Sequence, residues 1–434
     1  METMNQDYTQ YAIENYILKI TGVFNYDKEF YEKAINSNYK ELKFPEDTLK
    51  FSKDYFYPEF RKQFYSNDKL RHKILVKDYI EVLKVDLFEY KFDSKTEINK
   101  EISLVILDSR LDLFDEGFAM FTINIKIDSN NISLFQYSDA CYLARNFETN
   151  IKNSIYKKWH SFIDNIILLG SITKGKSVVV DEYSGSKYKL YMVLDLPELI
   201  LKETIKPLLF DIGTVSMIGS ANGNSYYSMD KEYINQLIKF NSITVFNNWE
   251  GLALLDTFSI VGNKIIDNEK KKNTYSNIYH GIYLYGLFIK YELFKHNYDI
   301  SDLDEDKRKE FQDFISEYYY NYISYNFLPT EIYYKIRSAL DIDKELKLLN
   351  EKMIAVGQKI QEEQQARTNV ILGIVMVLST LASIQQIQGY IILTQKWIGL
   401  NDNETLSIVI VLVLGIVLYV YGKNILKWIK KRKK

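Results

Sequence analysis

Two uncharged apolar runs near the C-terminus constrain this chain more than any other feature, because each is long enough to need lipid. Val370 to Ile384 reads VILGIVMVLSTLASI, and the uncharged stretch continues through QQIQGYIIL to Gln395. A helix crosses the hydrocarbon in roughly 20 residues, so this stretch supplies one span. The amides of Gln385, Gln386 and Gln388 are costly against lipid and are expected near the exit, or facing protein or water. Leu406 to Tyr421, LSIVIVLVLGIVLYVY, is more uniformly apolar and is expected as the lipid-facing partner. Trp397 and Trp428 flank the spans, where indoles prefer the interface. The tail carries five consecutive basic residues, Lys430 to Lys434, whereas the connecting loop has only Lys396 against Asp402 and Glu404. Basic flanks stay on the cytoplasmic side. The tail is therefore expected there, and two spans return the large N-terminal region to the same side. The expected location is the inner (plasma) membrane, multi-pass, with both ends cytoplasmic. A pair of buried core helices in a soluble protein is the alternative.

Upstream of the first run the chain is polar and charged, and its pattern changes to a heptad. The last of the five prolines is Pro329, and Thr330 and Glu331 after it suit a helix start. Apolar residues recur at Ile342, Leu346, Leu349, Met353, Val356 and Ile360, the a/d spacing of a helix seam. The register passes Glu363 and Arg367 and resumes at Val370, Ile374, Val377, Leu381 and Ile384. One helix is predicted from about Thr330 to beyond Ile384, ~60 residues and on the order of 90 Å. Its seam fits an ordinary hairpin against a helix near Glu310 to Tyr322, or a symmetric bundle whose inner helices continue into the membrane around an axis. Asn369, Gly373, Met376, Thr380 and Ser383 share one face, with Ser379 on its flank and Ile387 continuing it. This face suits dry helix packing or a pore lining. As a lining, Met376 and Ile387 could form apolar constrictions, with Asp402 and Glu404 at the outer mouth.

Six segments follow from these patterns. They are a mixed α/β cytoplasmic domain (1–265), a helical cytoplasmic portion (266–328), a long stalk helix continuing into the first span (329–395), an outer loop (396–405), a second span (406–422) and a basic cytoplasmic tail (423–434). Strands are predicted at Ile102 to Phe114, Gly117 to Ile127, Tyr188 to Leu196 and within Phe240 to Val261, the first two as a hairpin. TQYAIENYILKI near the N-terminus reads as helix, NEKKKNTYSN at Asn268 to Asn277 as loop, and Ile278 to Phe294 as helix. A basic n-region and an apolar h-region are both missing from METMNQDYTQYAIENY, so no secretory signal is expected. The single cysteine, Cys141, suits a reducing cytosol.

Residues 170–177, GSITKGKS, fit the phosphate-loop pattern, and LYMVLD ends on Asp195 as a Walker B strand would. A working phosphate loop needs a helix directly after its lysine. Here three valines follow Ser177, then the turn YSGS, so strand, turn, strand is the better reading. Lys174 and Lys176 remain a basic loop able to contact an anionic ligand without cleaving it. The histidines His72, His160, His280 and His296 have no metal-ligand spacing, and G-x-S-x-G does not occur. No enzyme and no cofactor are expected, and a net charge of −2 gives no global field for nucleic acid.

The order of parts resembles the CorA family of cation channels. TNVILGIVMVLSTLASIQQIQGYI resembles the family's first span, and YVYGKNILKWIKKRKK its terminal basic segment. The resemblance implies an α+β cytoplasmic domain followed by a long stalk helix and two C-terminal transmembrane helices, in a funnel-shaped homopentamer. It places Asn369, Gly373, Met376, Thr380 and Ser383 inside the pore. The family's Gly-Met-Asn signature is absent. Gly389 and Tyr390 stand at the corresponding outer mouth, followed by Ile391, which puts magnesium selectivity in question. Divergent relatives without that motif include membrane effectors found beside type III CRISPR systems, understood to respond to an adenylated S-adenosylmethionine messenger. The layout is similar to theirs and implies a ligand-gated membrane effector of antiviral defence. A divalent-cation transporter and a membrane-anchored interaction protein without a pore are the alternatives.

Overall fold

A computed structural model describes residues 13, 15–36, 40–65, 71–77, 82–90, 97–114, 117–127, 132–145, 187–222, 230–299 and 305–398, with single positions at 411 and 415. In chain order the strands are β1 (Asn15–Asn25), β2 (Lys40–Glu41), β3 (Arg71–Lys77), β4 (Val82–Tyr90), β5 (Glu97–Phe114), β6 (Phe118–Ile127), β7 (Lys189–Asp195), β8 (Ser242–Phe246), β9 (Trp249–Ala253) and β10 (Thr257–Gly262). The helices are α1 (Lys28–Ile35), α2 (Glu46–Tyr55), α3 (Pro58–Tyr65), α4 (Leu134–Arg145), α5 (Glu198–Thr214), α6 (Lys231–Asn241), α7 (Glu269–Asn273), α8 (His280–Asp299), α9 (Glu305–Tyr318), α10 (Phe327–Ala339) and α11 (Ile342–Ile398). A π-helix at Thr274–Tyr279 joins α7 to α8. Two compact units divide within α11, the first reaching Leu349 and the second taking Asn350 onwards.

The first unit is α+β, built on one ten-stranded sheet in the order β2-β3-β5-β6-β1-β7-β10-β9-β8, with β4 also paired to β5. Strand β1 lies in its middle, antiparallel to both β6 and β7, while β7 and β10 run parallel. The expected hairpin is formed by β5 and β6, with Phe114 opposite Phe118. Segment TQYAIENYILKI is a strand from Asn15 onwards, not a helix. Ile17, Ile20, Thr21 and Val23 of β1 are β-branched, and pairing on both sides overrides a weak helical pattern.

Opposed residues in adjacent strands share a face, so the registers sort the sheet's side chains. One face carries Leu18 and Ile20 of β1, Phe121 and Ile123 of β6, Leu111 and Leu113 of β5 and Leu190 and Met192 of β7. It packs with Tyr137 and Cys141 of α4 and Leu208 and Ile212 of α5 into one apolar core. Gly22 of β1 makes room in that core, since a Cβ there would stand 2.1 Å from the Phe121 ring. The opposite face carries Lys19, Thr21, Arg110, Asp112 and Thr122, and it is covered as well. NEKKKNTYSN, expected as a loop, is α7 and most of the π-helix. Its start is capped by the Asn268 side chain, which accepts from the Lys271 N–H at 3.0 Å.

The stalk is not one helix from about Thr330. Helix α10 closes at Leu340, whose N–H reaches the Ile336 carbonyl at 3.0 Å, and Asp341 takes φ 54° before α11 begins. Lacking proline or glycine here is therefore no guarantee of continuity, because tertiary contacts fix the bend. Helix α11 then runs unbroken for 57 residues to Ile398, beyond the expected end near 395. Along its seam Ile342, Leu349 and Met353 are buried, whereas Leu348 and Ile354 off the seam are exposed.

Candidate functional site

Within α11 the apolar stretch is long and hydrophobic enough to cross a membrane. Its most apolar 18-residue window has mean hydropathy 1.5, with 0% of that window buried. A core helix of a soluble protein would hide this surface. Here Val370, Ile371, Leu372, Ile374, Val375, Met376, Val377, Leu378 and Leu381 all stand exposed. Full burial of such a side chain is worth about 1.5–3 kcal/mol, so this stretch alone leaves on the order of 10 kcal/mol of hydrophobic gain unrealised. That rivals the whole stability of a domain, and an exposed surface of this kind calls for lipid or other helices.

The small face is arranged as the spacing requires. Gly373 and Thr380 are half-buried within the helix surface, and a Cβ added at Gly373 would meet nothing within 4 Å, leaving room for a close neighbour. The hydroxyls along it are satisfied internally. Thr380 Oγ1 donates to the Met376 carbonyl at 2.7 Å, Ser379 Oγ to Val375 at 2.9 Å and Ser383 Oγ to Ser379 at 2.8 Å. Back-bonded hydroxyls cost little in hydrocarbon and remain available as acceptors. Ile387, Gly389 and Tyr390 lie inside α11, within the helix expected to reach about residue 395. Asp402, Glu404, Lys174, Lys176 and the GSITKGKS loop lie outside the described residues.

Asp195 is explained without a nucleotide. It ends β7, every residue of which is buried, and its carboxylate accepts the Ile265 and Ile266 N–H groups at 3.3 and 3.4 Å. The acid fixes a turn after β10.

Sequence reasoning missed a second polar locus, on the covered face of the sheet. Lys19 is 6% exposed and donates from Nζ to the Ser276 carbonyl of the π-helix at 2.7 Å. Tyr191 beside it donates to the Tyr275 carbonyl at 2.5 Å. Arg110 Nη2 lies 3.2 Å from His280 Nδ1, and because arginine only donates, that imidazole nitrogen is the acceptor. Arg110 Nε also stands 3.6 Å from Asp112, which is fully buried. Thr21 and Thr122 approach at 3.4 Å, and Asn124 donates to Asp108 at 2.8 Å. Charged and polar strand positions alternating with apolar ones ordinarily mark a solvated face, which hid this network. The π-helix over it was the local signal that no residue spacing announces.

Burial, reinforced by the Arg110 guanidinium and only partly opposed by Asp108, pushes the Lys19 ammonium down to about 7. The folded protein then holds fewer protons than the unfolded chain between about pH 7 and pH 10.5, so its stability rises with pH across that window. Relative to Lys19→Met, wild type is expected to gain roughly 2–4 kcal/mol between pH 7.5 and pH 10. Paired thermal melts measure this, since ionisation of the tyrosines is common to both proteins. Parallel pH profiles would remove the assignment.

Among the described residues no group of three or more metal-ligating side chains is assembled. Comparison of the chain with family models, with curated proteins and with solved structures finds no match.

Proposed function

We propose that this chain is a CorA-like membrane channel or effector that assembles with itself, most simply as a homopentamer. Helix α11 supplies the conduit wall through Asn369, Gly373, Met376, Thr380 and Ser383, and Ile387 continues it. The α+β unit faces the cytoplasm and responds to a nucleotide-type messenger, in a defence role like that of the CRISPR-associated effectors. The observation that supports the membrane assignment is the apolar window of α11, with 0% of it buried. The oligomer, the messenger and the defence role rest on the resemblance of layout and on the small face of the first span.

The test is ion flux through the full chain in lipid vesicles, with and without adenylated S-adenosylmethionine. Flux that rises with the nucleotide is expected, and Thr380→Trp is expected to lower it at least tenfold by filling the axis with an indole. Magnesium flux independent of nucleotide would replace this reading with the transporter. One observation favours a second reading. The hydroxyls of Ser379, Thr380 and Ser383 already bond their own helix, which suits a dry packing face and an anchor without a pore. Flux indifferent to Thr380→Trp, or no flux at all, would favour that anchor.

A further inference from the structure

The turn between α10 and α11 joins a local preference to an opposing set of contacts. From Phe327 to Ile398 the only breaker is Pro329 in the first turn of α10, until Gly357 well inside α11, so local preference favours one continuous helix. The protein instead bends at Leu340 and Asp341, with Asp341 in the left-handed region at φ 54°, where a side chain with a Cβ is disfavoured.

Two ion pairs hold the bend. Arg337, in the last turn of α10, pairs with Asp343 in the first turn of α11, and also donates to Tyr319 Oη at 2.6 Å and to the Asn321 carbonyl at 3.1 Å. Its guanidinium lies 5.4 Å from the ring centroids of both Tyr319 and Tyr333. Tyr319 Oη donates in turn to Asp343 at 3.3 Å. Glu345 of α11 pairs with Lys290 of α8. Beneath them Leu340, Ile342 and Leu349 are buried. Gly286 of α8 permits this approach, since a Cβ there would stand 2.4 Å from Ile336 Cγ2.

We infer that Leu340–Asp341 is a two-state elbow, bent when the Arg337–Asp343 and Lys290–Glu345 pairs are closed and straightening into one helix when they open. The elbow does not depend on conduction. In the continuous helix Asp341 leaves its disfavoured conformation, while the pairs and the burial of Leu340 and Ile342 are given up. The acids sit on α11 and the cations on the helices behind it, so opening separates charge across one boundary.

Spin labels at Phe327→Cys and Lys347→Cys in the full chain, in detergent micelles, read the two states, and the natural Cys141 is buried. A continuous helix puts the labelled positions about 30 Å apart, and the bend brings them closer. Arg337→Gln with Lys290→Gln is expected to shift the bent-to-straight ratio roughly threefold to tenfold towards the long distance. Asp341→Ala should move the ratio the same way and Asp341→Gly the opposite way, about fivefold apart, because glycine takes positive φ freely and alanine favours helix. An unchanged distribution in the double glutamine variant overturns the elbow. So does a shift in one direction by both Asp341 variants, which would signal general loosening. None of these readouts uses flux, so an elbow that moves in a chain that conducts nothing leaves this inference standing and removes the proposed channel.

Discussion

Lysine in place of both Ile374 and Val377 is expected to abolish labelling of a cysteine placed in the outer loop. The reporter is Asn401→Cys, read by a membrane-impermeant maleimide applied to intact spheroplasts. Because Cys141 is the chain's one other cysteine and is buried, background labelling is low. Each lysine near the centre of a span costs about 2.5–3.5 kcal/mol of insertion free energy, so two cost roughly 5–7 kcal/mol. A factor on the order of 10³ to 10⁵ in the inserted fraction follows. Leu406 to Tyr421 can still hold such a chain in the membrane, which is why topology is measured and not sedimentation alone. With the first span lost, the segment after Ile398 has no route to the outside. Glu351→Lys, at an exposed position of α11 before the apolar stretch, is the matched control and should leave labelling intact. An Asn401→Cys chain that never labels, or one that labels equally with both lysines present, would show that α11 does not cross.

How far the sequence carried depends on whether the deciding force is local. The apolar stretch of α11 and the β5–β6 hairpin were legible, since hydropathy and alternation act within a few residues of themselves. The seam at Ile342, Leu349 and Met353 was legible for the same reason, and those residues are buried. Three features were not. Asn15–Asn25 is a strand because β6 and β7 lie on either side of it, more than ninety residues away along the chain. The bend at Asp341 is flanked by contacts from Lys290 and Tyr319, residues outside α10 and α11, against a local sequence that favours straight helix. The polar side chains of β1, β5 and β6 alternate with apolar ones, a pattern that ordinarily accompanies a solvated face, yet α8 and the π-helix close over them, and only the tertiary fold brings His280 to Arg110. For the candidate pore the spacing gave the face and the structure gave its exposure. What would cover that face is not written in a single sequence.

Arg110→Met should be among the most destabilising single substitutions in the α+β unit, at about 3–5 kcal/mol, the usual cost of removing one partner from a buried ion pair. Methionine roughly matches the aliphatic stem, so little of this comes from lost packing. The cost arises because Asp112, fully buried, loses the adjacent guanidinium, and His280 Nδ1 loses its donor. A second term works the other way. Arg110 also depresses the Lys19 ammonium, so removing it returns part of that group's charge stability, most visibly near pH 7. The net loss should therefore be somewhat smaller at pH 7 than at pH 10, where Lys19 is neutral in the folded wild type. Asp112→Leu alone should cost a similar amount, because it leaves the Arg110 guanidinium without its partner under the same cover. The double variant Arg110→Met/Asp112→Leu removes both charges and should recover most of either single loss, since a buried pair is commonly no better than apolar residues of similar volume. Thermal midpoints of the four proteins at pH 7 and pH 10 decide the matter. Single losses that simply add in the double variant would mean that the two side chains do not act as a pair, and that the covered face of the sheet is held by its apolar contacts alone.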